Sequence, residues 1–178
     1  MSDPRPGAAD QTREQRPTLV LIVYCWDMLL GILAIFGAFA ALGGQVAVGT
    51  RLVTLPLALQ ILDAFASAAY AAVLIMTASL LTRPLVWIRR FQIATLAIAV
   101  GLAALSLLTA AVAGGLGIVP LLVTLLFMLL DVAAIVVMTE HRITSWYVQQ
   151  APTPLYATVT LGFWALSSLV LVVVDALQ

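Results

Sequence analysis

Polar positions in this chain fall in short clusters that separate long apolar runs. Five runs reach the roughly 20 residues that a helix needs to cross the hydrocarbon core of a bilayer: 18–42, 56–82, 91–113, 119–139 and 155–176. The breaks between them carry turn formers, in "GGQVAVGTR", "TRPLVWIRR", "AGGLGIVP" and "EHRITSWYVQQAPTP". The second break is short, so spans two and three are expected to be antiparallel neighbours. Ahead of the first span, "MSDPRPGAADQTREQRP" is polar and Pro-rich and has nothing to bury. The pattern predicts an all-α integral membrane protein, with a disordered cytoplasmic tail over 1–17 and a single transmembrane domain over 18–178, a bundle of five transmembrane helices.

Composition supports that class. The chain of 178 residues is 63% hydrophobic and 9% charged, and no water-soluble domain of this size hides so much apolar surface. Formal net charge is zero, which gives no field for nucleic acid. The single Cys25 excludes a disulfide framework and a thiolate cluster. All eight basic residues are Arg, a usage that reads as genome composition rather than binding chemistry.

The arginines orient the chain. Arg5, Arg13 and Arg16 precede span one, Arg83, Arg89 and Arg90 join spans two and three, and Arg142 follows span four; only Arg51 falls on the other side. The positive-inside rule then puts the N-terminus in the cytoplasm and the C-terminus outside, in a bacterial inner membrane. Trp87, Phe91, Trp146, Tyr147 and Tyr156 are expected as an aromatic belt on the cytoplasmic side. Arg83, Arg89, Arg90, Trp87, Arg142 and Trp146 are the candidate contacts to lipid headgroups or a partner. The first apolar run is far longer than the 7–15 residues usual in a signal peptide, so span one is expected to be retained.

Four acids fall within the apolar runs; Asp175 is close enough to the end of span five to reach the interface, whereas Asp27, Asp63 and Asp131 lie deeper. At 1.5 Å per residue, Asp27 and Asp131 lie roughly 13 and 12 Å from the cytoplasmic ends of their spans, whereas Asp63 lies about 10 Å from the outer end of span two. Helical phase puts Tyr24, Asp27, Gly31, Ala34, Ala38 and Ala41 on one face of span one. It aligns Gln60, Asp63, Ser67 and Tyr70 in span two, beside a line of Ala64, Ala68 and Ala72, and Thr124, Asp131 and Met138 in span four. These faces are expected to converge on the bundle interior, with Asp27 and Asp131 close enough to share a proton or one water.

Two roles fit this polar cluster of Asp27, Asp131, Tyr24, Asp63, Gln60 and Ser67. In the first, each acid is neutral, because leaving water disfavours the charged form, and donates a hydrogen bond to Tyr24, Gln60, Ser67 or a backbone carbonyl. That makes it interhelical glue worth about 1 kcal/mol. In the second, Asp27 and Asp131 line a proton or cation path, as intramembrane acids often do. No basic residue lies inside the predicted spans to act as a counter-ion, which favours the first role.

No catalytic motif is present: neither a G-x-S-x-G elbow, nor H-E-x-x-H, nor a phosphate-cradling glycine loop. His141 has no second histidine for haem ligation and reads as an interfacial residue. The segment "ITSWYVQQ" is expected either along the membrane surface or as an extension of span four. The sequence therefore points to a protein with no cofactor, no metal and no enzymatic activity. Its expected partners are membrane lipids and either other membrane subunits or further copies of itself. The leading reading is an accessory or scaffold subunit of a larger membrane complex. A small proton or cation channel or transporter using Asp27 and Asp131 comes second, and binding of a hydrophobic ligand or pigment between helices third.

Overall fold

The computed structural model describes residues 18–44, 46–48, 51–53, 56–112 and 117–177. The tail expected over 1–17 lies outside them. Five long helices carry the fold: α1 (Thr18–Leu42), α2 (Leu57–Leu81), α3 (Val86–Val112), α4 (Ile118–Thr139) and α6 (Leu155–Ala176). All five are long and apolar enough to cross a membrane. The short helix α5 (His141–Trp146) follows α4, and a two-stranded antiparallel hairpin of β1 (Val46–Val48) and β2 (Arg51–Val53) follows α1.

Local chemistry sets the helix ends. Pro56 and Pro154 are the N-caps of α2 and α6, and Pro120 lies in the first turn of α4, where a missing N–H removes no helical bond. After α1, Gly43 and Gly44 bond back to carbonyls of the last turn, and Gly44 adopts φ +84°, a backbone region open to glycine. Glu140, with ψ 141°, leaves the helical path and separates α5 from α4. The segment after span four is thus a distinct short helix rather than an extension. The hairpin was not visible in the hydrophobic pattern, because its strands are only three residues each.

The helices pack as a ring in the order α1, α2, α6, α3, α4 and back to α1. α2 and α3 touch only lightly, and both pack on α6, so the short turn between them does not make them principal neighbours. α3 begins at Val86, five residues before the predicted start, which places Trp87, Arg89 and Arg90 in its first turns rather than in a loop. The tightest approach joins α1 to α2: a Cβ on Gly31 would stand 2.9 Å from Ile75 Cγ1. Small residues permit such contacts in lipid, where no hydrophobic force drives helices together. Gly31→Val therefore destabilises the bundle by about 1–3 kcal/mol through overpacking, as read by denaturant unfolding in detergent, whereas the same change at the open position Gly101 does not.

The main hydrophobic core fills the end of the bundle that holds α5, where Val20, Val23, Leu81, Ile88, Met138, Ile143 and Leu161 pack together. Trp87, Phe91 and Tyr147 belong to this core, at 8%, 7% and 4% exposure, and so do not form the expected surface belt; Tyr156 alone of that set is exposed. At the opposite end, among the described residues, a small buried cluster of Ala41, Ala64 and Leu171 is found. Large apolar side chains cover the outer faces of α1 and α4, including Phe36, Phe39, Leu122 and Leu129, a surface suited to lipid.

A strap closes the α5 end. The Gln149 backbone donates to Pro84 O and accepts from Val86 N, both at 2.9 Å, while Tyr147 Oη donates to Leu81 O at 3.1 Å. The segment after α5 is thereby fastened to the turn between α2 and α3.

Candidate functional site

Two polar arrangements lie inside the ring. The first is dry. Asp27, nine residues into α1, is completely buried, and its Oδ1 accepts a hydrogen bond from Gln92 Nε2 of α3 at 2.7 Å. Gln92 is likewise fully buried. Asp27 Oδ2 and Gln92 Oε1, the remaining oxygens of the same two groups, have no hydrogen-bond partner among the described residues. Two acceptors cannot satisfy each other. A neutral Asp27 with its proton on Oδ2 supplies the donor this pair lacks.

The second arrangement surrounds a cavity of about 320 Å³ reached by all five long helices. Asp63 and Tyr70 of α2, Ser106 of α3, Asp131 of α4, and Trp164 and Ser168 of α6 provide its polar lining, and Leu30 of α1 and Phe127 of α4 are among its apolar walls. Tyr70 and Trp164 stack at 4.3 Å and 10° between planes, giving the lining a flat aromatic element.

Asp131 connects the two arrangements. Its Oδ1 accepts from Trp26 Nε1 of α1 at 2.8 Å, and the Trp26 ring lies 5.4 Å from that of Phe127. Trp26 precedes Asp27 in sequence, so the two acids are held within electrostatic reach of each other. Each nevertheless has its own donor. These donors are Gln92 for Asp27 and Trp26 for Asp131, and α1 and α4 are in contact.

By helical rise Asp63 lies about 9 Å from the start of α2 and Asp131 about 20 Å from the start of α4, so the two stand at different depths, and the cavity they both line spans the two levels. The Asp63 carboxyl takes no hydrogen bond from any described residue. Of the other residues in the predicted cluster, Ser67 faces α1, with Oγ 3.7 Å from the Cβ position of Gly37, and Gln60 lies near Gly44. Tyr24 packs on the main core and lines a groove with Ser79 and Thr82 at the α5 end, away from the carboxyls. Ala68 and Ala72 are exposed, so the predicted alanine line of α2 contributes only Ala64 to the interior.

Gln92 and Trp26 are the partners of the two acids that the hydrophobic pattern does not single out. Gln92 shares a helical face with the buried Ile88, Thr95 and Leu96, the one signal in the sequence that it points inward.

The basic set separates as well. Arg89 donates to Met138 O at 3.4 Å and Thr144 Oγ1 at 3.0 Å, which ties α3 to the end of α4 and to α5. Arg83, Arg90, Arg142 and His141 are exposed. Trp87 is buried edge-on to Phe91 at 6.0 Å, and Trp146 meets Tyr147 edge-on at 4.8 Å. Among the described residues no group of three or more His, Cys, Asp or Glu is placed to hold a metal ion.

Comparison with family models, with curated proteins and with solved structures finds no match. The class is therefore defined by the architecture alone: five long apolar helices, compatible with a multi-pass membrane protein, around a largely apolar cavity that carries two carboxyls.

Proposed function

We propose that this chain is a non-enzymatic multi-pass membrane protein that takes a small cation into the central cavity between Asp63 and Asp131, as the binding step of a channel or transporter. The observation that carries the reading is the presence of two carboxyl groups and no basic side chain on the lining of one cavity inside the bundle. Each carboxyl has lost much of its hydration, which disfavours its charged form unless a cation or a proton sits beside it.

Size narrows the ligand. A volume of about 320 Å³ is at the lower end for small-molecule sites and corresponds to roughly ten waters. It suits a hydrated alkali cation or a short protonated amine, and the Tyr70–Trp164 pair offers aromatic surface to an organic cation. The test is binding of sodium, potassium and methylammonium to the purified protein, read by fluorescence of Trp26 and Trp164 in a Trp87→Phe/Trp146→Phe background. A saturable change with methylammonium or an alkali cation supports the reading; no change with any of them removes it.

The arginine asymmetry supports a bacterial inner-membrane location with the α5 end in the cytoplasm. Reporter fusions after Gln149 and after Gln178 are then expected on opposite sides of the membrane. Reporters on the same side would contradict the direction assigned to α6.

A further inference from the structure

A second cavity, independent of the one above, lies at the α5 end between the start of α3 and the segment leading into α6. It has a volume of about 640 Å³ and is lined by Arg90, Gln150, Thr153 and Thr158 together with apolar side chains that include Phe91 and Leu161. No acidic residue contributes to it. Arg90 makes no ion pair or hydrogen bond with any described residue, in contrast to its neighbour Arg89, which is fastened to Met138 and Thr144. The side chains of Gln150, Thr153 and Thr158 are equally unengaged among the described residues.

We propose that this cavity is a headgroup site for an anionic phospholipid, with the phosphate on the Arg90 guanidinium. Charge complementarity selects the anion. An unpaired guanidinium beside amide and hydroxyl donors matches a phosphodiester and offers a zwitterionic choline headgroup no carboxylate for its cation. The α3 surface beyond the cavity selects a lipid over a free anion. Ala94, Ala97 and Gly101 are exposed at successive helical steps from Arg90, and the space beside Gly101 is open. An acyl chain laid along this flat track continues from the headgroup into the bilayer. The strap fixes the cavity wall, since Gln149 is bonded to Pro84 and Val86 immediately before Gln150.

The experiment is native mass spectrometry of the full chain released from nanodiscs that contain equal phosphatidylglycerol and phosphatidylcholine. The wild type is expected to retain one phosphatidylglycerol in preference to phosphatidylcholine. Arg90→Gln is expected to lose about fivefold in that preference, the factor equivalent to ~1 kcal/mol for one basic residue at the membrane surface. Thr158→Trp, which keeps the charge and fills the cavity, is expected to lose it too, while His141→Gln, exposed and outside the cavity, is expected to leave it unchanged. The proposal is overturned by equal retention of both lipids, by equal loss in the His141→Gln variant, by displacement of the lipid with inorganic phosphate alone, or by a second protein chain retained in the lipid's place.

Discussion

Gln92→Leu is expected to destabilise the bundle by about 1–3 kcal/mol, the cost of leaving a buried polar group without its partner. Asp27 is completely buried, and Gln92 is the side chain that hydrogen-bonds it. Asp27→Asn keeps a group of the same shape that both donates and accepts, so it is expected to be mild. Asp27→Leu with the native Gln92 strands the amide instead and is expected to cost about as much as Gln92→Leu. The double variant, Asp27→Leu with Gln92→Leu, removes both polar groups and is expected to recover most of the loss, because replacing both partners by apolar groups is close to neutral. In lipid the unfolded reference also finds partners, which pulls the single-variant costs toward the lower end of that range. Denaturant unfolding of the four proteins in one detergent gives the coupling directly. Strict additivity would contradict the pairing of Asp27 with Gln92.

The second large effect concerns ligand affinity rather than stability. Asp131→Asn is expected to weaken methylammonium binding at least tenfold, equivalent to ~1.4 kcal/mol, because it removes one of the two carboxyls on the cavity. The Asn side-chain oxygen still accepts from Trp26 Nε1, so the contact of α1 with α4 survives and folding is little changed. Asp131→Leu loses that acceptor as well, and should both abolish binding and weaken the bundle. Asp63→Asn removes the other carboxyl and no hydrogen bond to a described residue, so it is expected to lower affinity with stability intact. Binding unaffected in both Asn variants would show that the cavity does not use its acids for a cation.

The limits of four of the five spans were legible because each run is long, apolar and bounded by Pro, Gly or polar residues, signals that act locally; the start of α3 was not, because Arg89 and Arg90 lie within its first turns. Inward phase was legible for the same reason: Asp27, Gly31 and Ala41 on α1, and Asp131 and Met138 on α4, are all buried as the 3.6-residue period requires. Which inward groups meet was not legible. That depends on the ring order, and α6 inserts beside both α2 and α3 despite being last in the chain. Ring order joins Asp63 to Asp131 across a cavity and gives Asp27 to Gln92, pairings of residues far apart in sequence. Sorting Arg89 from Arg90 was likewise out of reach, since the two are adjacent and differ only in which one faces Met138 and Thr144.

The most direct test of a cation in the central cavity is to locate it. Nuclear Overhauser contacts from the methyl protons of methylammonium to the protein, measured in detergent micelles, report which rings the ligand touches. The account predicts contacts to Tyr70 and Trp164, lost when Asp63 and Asp131 are both changed to Asn. Contacts confined to exposed side chains, or contacts to Tyr70 and Trp164 that persist in the double variant, would contradict it.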